Sequence, residues 1–262
     1  MDRLTRHADL LALSGGDPWV RWSVPDPLPG EVWVHEEVAL VQRLGARPGF
    51  WVVPLCSGMQ GTSPSRGELA RVRAALTELR DGGHLARLGS RSVSVPQAHA
   101  EVAHEVLELG DGGDWEWMWT QEPPQVDARE RDVIPLDDSA DAAELTAFTQ
   151  AHNPRQWTEI GTGRVHRWVG LRDGHGALVA VGGAEREATG IPHLAGIVTA
   201  IDRRGTGLAR VVSAALTRWA LEEHGVCTLG MFSDNAAARS LYARLGYRTA
   251  RAWHSRMLVP VS

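Results

Sequence analysis

The stretch AIDRRGTGLARVV, residues 200–212, sets two arginines and two glycines between an apolar run and an apolar helical repeat. A strand that ends in such a turn and runs into a helix suits a phosphate. The first N–H groups of a helix lack internal partners and carry partial positive charge. Gly205 and Gly207 permit positive φ and let the backbone approach a ligand closely. Arg203 and Arg204 add charge-assisted contacts. A P-loop would need Gly-Lys-Ser/Thr, and all 27 cationic residues are Arg, so that class fails. A dinucleotide fingerprint would need a third glycine where Arg210 stands, so that class fails too.

The elements around this turn follow from hydrophobic period. VIPL at 133–136 reads as a short strand, and DSADAAELTAFTQAH as a helix with Ala142, Leu145 and Phe148 on one face. RWVGLRD and ALVAVGGA flank a glycine turn and read as a hairpin. IPHLAGIVTAI is apolar on both faces, as a central buried strand must be. Leu208, Val211, Val212, Ala215, Leu216 and Trp219 mark the core face of the helix after the turn. VCTLGMF is a strand, NAAARSLYARLG a short helix capped by Asn235 and stopped by Gly246, and YRTARAWHSRMLV a last strand. The order is β-α-β-β-β-α-β-α-β. Upstream, QEPPQVDARERDV (121–133) is proline-bearing and charged and reads as a linker.

The first half repeats part of this pattern. Leu69-Ala70-Arg71-Val72 and Ala74-Ala75-Leu76-Thr77 recur as Leu208-Ala209-Arg210-Val211 and Ala214-Ala215-Leu216-Thr217. A strand (SVSV), a helix ending in Leu-Gly and a strand (WEWMWT) follow in the same order, which points to duplication. The earliest elements of the pattern are not evident in this copy.

Composition sets the bounds. The 262 residues are 43% hydrophobic and 23% charged, ordinary for a globular protein of one large or two small domains. A net charge of −5 gives no basic footprint for nucleic acid. No stretch approaches the ~20 apolar residues that span a membrane, and the N-terminal MDRLTRHADLLALSGG lacks the pattern of a signal peptide. Cys56 and Cys227 have no metal-type spacing and read as free buried thiols, and Asp111 and Asp114 lack the spacing of a calcium loop. The expectation is a cytoplasmic protein with no metal, no membrane and no nucleic acid partner.

The segment from about 133 to 256 resembles the GNAT superfamily of acyl-CoA-dependent N-acyltransferases. Arg204-x-x-Gly207-x-Ala209 is similar to that family's pyrophosphate loop, Gln/Arg-x-x-Gly-x-Gly/Ala. Asn235, Tyr242 seven residues on, and Leu245-Gly246-Tyr247 are similar to its second motif. The resemblance implies a mixed α+β sheet of the GNAT type and acetyl-CoA as co-substrate. It implies that Arg204, Gly205, Thr206, Gly207, Leu208, Ala209 and Arg210 hold the pyrophosphate, chiefly through main-chain N–H groups. Ile197, Val198 and Thr199 would pair with the pantetheine arm as a neighbouring strand does, and Asn235 would touch the pantetheine or acyl region.

Acyl transfer to an amine needs a proton removed, an oxyanion stabilised and a thiolate released. The resemblance places a backbone N–H at or beside Thr199 for the oxyanion and Tyr242 as the acid that meets the thiolate. His193, six residues before Thr199, is the candidate base, since its ordinary pKa near ~6.5 suits proton removal at neutral pH. Asp234, Glu185 and Glu187 stand in reserve, and water alone is a further option. The acceptor is a small-molecule amine or a protein amino group, and no feature speaks to oligomeric state.

These readings give two domains. Residues 1–124 form a degenerate GNAT-like α/β domain and 125–262 the catalytic acetyltransferase domain. In the first, Pro64-Ser65-Arg66-Gly67-Glu68-Leu69 lacks the glycine pair and brings a carboxylate, and His99 and Val106 stand where the Asn and Tyr belong. Trp115, Trp117 and Trp119 alternate and share one strand face, expected to pack against Leu69, Val72 and Leu76. A non-catalytic acyl-CoA-binding module is the alternative, and a dinucleotide-binding oxidoreductase a distant third.

Overall fold

The computed structural model describes residues 1–45, 47–55 and 63–259; Cys56 lies outside the described residues. The chain forms two compact units, Met1–Trp117 with Phe232–Asp234 and Thr249–Ser262, and Met118–Met231 with Asn235–Arg248.

In the first unit the elements run β1 (Asp2–Leu4), α1 (His7–Leu13), α2 (Pro18–Ser23), β2 (Val32–His35), β3 (Val38–Arg43), β4 (Gly49–Pro54), α3 (Arg66–Asp81), α4 (His84–Arg87), β5 (Ser92–Pro96), α5 (Ala100–Val106) and β6 (Leu109–Thr120). The last strand of the chain, β12 (Arg248–Leu258), joins this sheet, whose order is β1-β2-β3-β4-β5-β12-β6. β12 pairs antiparallel with β5, His254 opposite Val95. β1 and the helices after it supply the early elements that the sequence did not reveal.

Strand alternation decides what each face buries. Phe50 and Val52 turn to α3, where Val72, Ala75, Leu76 and Leu79 are buried with Val102 and Val106 of α5. Trp51 turns the other way and meets Trp19, Trp115 and Trp253 with ring centroids 4.7–5.8 Å apart. Trp115 thus packs with Trp51 on the face away from α3, which corrects the expectation that this strand's tryptophans meet Leu69, Val72 and Leu76.

The second unit runs β7 (Ile134–Leu136), α6 (Ala142–His152), β8 (Val165–Arg172), β9 (Leu178–Arg186), β10 (Pro192–Thr199), α7 (Leu208–His224), β11 (Cys227–Phe232) and α8 (Ala236–Arg244), with sheet order β11-β10-β9-β8-β7. These are the first eight elements of the order read from the sequence; the ninth, β12, was expected in this domain and instead belongs to the first unit's sheet. Trp168 and Val198 pack with Leu145 and Phe148 of α6 on one face. Val169 and Leu194 pack with Val211, Val212 and Leu216 of α7 and Tyr242 of α8 on the other. Burial of this kind, at about 25 cal/mol per Å² of apolar area, supplies the main driving force. Met118, at the end of β6, belongs to this second core. Cys227 is free and fully buried there, and burial pushes its thiol up to about 12.

Segment 121–133 is built into the second unit, where a linker was expected. Ala128–Asp132 forms a 3-10 turn closed by a capping box between Asp127 and Glu130. Arg218 of α7 donates to the Pro124 carbonyl at 3.1 Å and pairs with Glu130 at 3.3 Å.

Candidate active site in the second unit

The site begins with a defect in β10. Its antiparallel register with β9 runs from Pro192–Arg186 to Ala195–Gly183, then resumes one residue late at Val198–Val181. The extra residue is a β-bulge. Gly196 sits in it at φ +61, and a Cβ there would stand 2.6 Å from Cη2 of Trp168, so only glycine fits. On its other side β10 pairs in parallel with β11 only at His193–Thr228 and Leu194–Leu229. The ladder ends there, although β10 continues to Thr199 and β11 to Phe232. The edge of β10 that holds Ala195 to Thr199 therefore has main-chain groups to offer a ligand. A lone glycine inside an apolar strand is the signal that could have found this bulge.

The turn follows at once. Gly205 and Gly207 have φ of +78 and +85, and α7 starts at Leu208 with no side-chain cap on its first turn. The unpaired amides of that turn are an anion site of the ordinary helix-terminus kind. Arg204, Arg210 and Arg129 are used to hold the turn itself, while Arg203 pairs with Asp202 at 3.3 Å. Arg204 donates to the His152 carbonyl, and Arg210 pairs with Asp127. Arg129 donates to both Asp127 oxygens and to the Thr206 carbonyl at 3.0 Å. Hydrogen bonds from Arg129, with the charges of Arg129 and Arg210, hold the Asp127 carboxyl well below the usual range. Asp127 and Arg129 were not singled out in the sequence, because they fall in the segment that looked like a linker.

Asn235 caps α8 and accepts from the Ala238 N–H at 3.0 Å. Tyr242, in the last turn of α8, is 7% exposed within the core shared with α7, 5.7 Å from the Tyr247 ring. Burial raises its phenol above the ordinary value, and the Ser213 hydroxyl partly offsets this. Ile197, Leu208 and Tyr242 all contact the same apolar cluster, which joins β10, the turn and α8.

His193 stands on β10 at the first pair of its ladder with β11, opposite Thr228. Its Nδ1 lies 3.0 Å from Oγ1 of Thr228 and 3.2 Å from Oε1 of Glu187. Glu185 is directly opposite on β9. Burial raises the Glu185 carboxyl, while Arg164 at 3.7 Å and His193 oppose the shift. Asp234 is exposed.

The first unit offers a contrast. β3 and β4 keep one unbroken register from Val38–Pro54 to Arg43–Gly49, without a bulge. The α3 N-terminus is closed by Ser65, whose Oγ accepts from the Glu68 N–H at 3.1 Å. Glu68 itself pairs with buried His99 at 3.0 Å.

The family model described as "Acetyltransferase (GNAT) family" matches residues 117–247. Among solved structures, a GNAT-family protein from Novosphingobium aromaticivorans is similar over 98% of both chains at 19% identity and a TM-score of 0.53. A GCN5-related N-acetyltransferase from Kribbella flavida covers 97% of this chain and 96% of its own, at 18% identity and a TM-score of 0.51. An acetyltransferase from the GNAT family of Colwellia psychrerythraea covers 98% and 99%, at 14% identity and a TM-score of 0.53. No curated protein matches the sequence.

Proposed function

Since the chain belongs to the acetyltransferase (GNAT) family, we propose that its second unit moves an acetyl group from acetyl-CoA to an amine by direct attack in a ternary complex. The observation that carries this reading is the bulged edge of β10 beside an uncapped helix start. Pantetheine amides pair with Ile197, Val198 and Thr199 as an added strand. The pyrophosphate rests on the N–H groups from Gly205 to Arg210. Arg204 and Arg210 act by fixing that turn through His152 and Asp127. Asn235 serves as the helix cap and borders the acyl region.

The chemistry follows from three groups. His193, backed by Glu187 and Thr228, takes the proton of the attacking amine. An N–H at or beside Thr199 meets the developing oxyanion. Tyr242 meets the departing thiolate. Its burial keeps the phenol protonated, and a thiolate that leaves into the same apolar surroundings is raised by the same cause, so the two stay matched.

The reading amends the domains expected at 1–124 and 125–262 in that Thr249–Ser262 belong to the first unit, so the proposed catalytic domain is the second unit and the degenerate copy the first. It takes the reaction as cytoplasmic, with a small-molecule amine favoured over a protein amino group. Burial of Tyr242 also favours a second reading, a module that binds acyl-CoA without turning it over. One experiment separates the two: thiol release from acetyl-CoA across a panel of small amines and peptide N-termini. Release that depends on a particular amine supports transfer. Coenzyme A binding with no release above the background rate for any amine supports the binding module.

A further inference from the structure

Resting on the reading of His193 as base, we infer that Thr228 and Glu187 are positioning residues that fix the His193 ring with its proton on Nδ1 and its lone pair on Nε2. A hydroxyl has one proton to give. The Thr228 Oγ1 gives it to the Pro192 carbonyl at 3.1 Å. Thr228 is fully buried, so no water competes for that proton. Toward His193, at 3.0 Å, the same oxygen can only accept. Both contacts are made at once only when Nδ1 is the donor. Glu187, reaching the ring from beyond the end of β9, also has only acceptor oxygens when ionised, and it lies 3.2 Å from the same nitrogen. Two elements thus specify one tautomer, and Nε2 is left to take a proton.

The charged groups facing the ring agree with this role. Glu185 is opposite on β9, and Arg164 bridges Glu185 at 3.7 Å and Glu159 at 3.3 Å. When Nε2 gains a proton, Nδ1 keeps Oγ1 of Thr228 as its acceptor and Glu187 beside it. Proton uptake at Nε2 then requires no ring flip and no hydroxyl rotation.

The test is a long-range ¹H–¹⁵N spectrum of the full chain with ¹⁵N-labelled histidine, His193 being assigned by its loss in His193→Gln. The expected neutral ring carries its proton on Nδ1. Thr228→Val removes the acceptor and should shift the tautomer ratio toward Nε2–H about fivefold, the worth of one ordinary hydrogen bond. Thr228→Ser should restore it, and Glu187→Ala should move it in the same direction as Thr228→Val. A wild-type ring with its proton on Nε2 overturns the inference without any need of a variant. So does a ratio unmoved by both Thr228→Val and Glu187→Ala. None of these signals depends on turnover. A wrong choice of base would appear separately, as a pH–rate profile unaltered in His193→Gln while the tautomer stays as described.

Discussion

The Arg129 guanidinium lies over Gly207: a Cβ built on that glycine would stand 3.1 Å from Nη2, while Nη1 donates to the neighbouring Thr206 carbonyl at 3.0 Å. The contact ties the turn to the segment that carries Asp127. Two left-handed glycines are costly to order, and a cation tied to Asp127 holds one of the turn's carbonyls in place.

Arg129→Ala should therefore weaken coenzyme A binding without removing any amide that touches it. Loss of one charge-assisted hydrogen bond predicts a rise in Kd of roughly tenfold. Calorimetry with coenzyme A checks this. An unchanged Kd would mean that the glycine turn is held by Arg204 and Asp127 alone.

The bulge makes a stability prediction. Gly196→Ala combines a left-handed backbone with a Cβ pressed to 2.6 Å against the Trp168 ring. Strain and overpacking together should cost about 2–4 kcal/mol. Denaturant unfolding measures the loss, and a midpoint equal to that of the parent would mean that the bulge is not fixed as described.

Tyr242→Phe removes one hydroxyl from a packed core and should leave stability and coenzyme A affinity nearly intact. For the proposed acid, kcat should fall on the order of 10²-fold. A fall in stability with unaltered kcat would make Tyr242 a packing residue only.

The raised Glu185 carboxyl gives a pH signature. Its folded value lies above the ordinary 4.5 because burial disfavours the charge. The stability this group contributes is thus fully present below about pH 4.5 and is lost as pH rises through the folded value. Glu185→Gln loses nothing over that interval. The Tm of the variant should exceed that of the parent at neutral pH, and the gap between the two curves should open only above about pH 4.5. A gap that is constant with pH would place Glu185 in an ordinary solvated setting.

The glycine turn, the order of elements in the second unit and the pairing of Asn235 with Tyr242 along one helix were legible because each rests on local spacing. The partner of the last strand was not. YRTARAWHSRMLV reads as a strand, but its pairing with β5, with His254 opposite Val95, depends on residues far back in the chain that carry no local mark. The clasp from Asp127 to Arg129 was hidden for a different reason. A short proline-bearing segment with alternating charge has the composition of a linker, and only its capping box and its contacts with α7 show otherwise. Tyr242 was legible as a position but not in its burial, since one aromatic residue near the end of a short helix fits an edge or a core equally.

The central claim is that one acyl-CoA site exists per chain, on the β10 edge and the turn after it. Calorimetric titration of the full chain with coenzyme A tests it most directly. The account predicts a stoichiometry of about one, lost in Gly207→Glu, which puts a side chain on a left-handed glycine against Arg129 and so displaces the turn. It also predicts no change in Ser65→Ala, since that helix start lies in the first unit. Two sites per chain, or an affinity unmoved by Gly207→Glu, would contradict it.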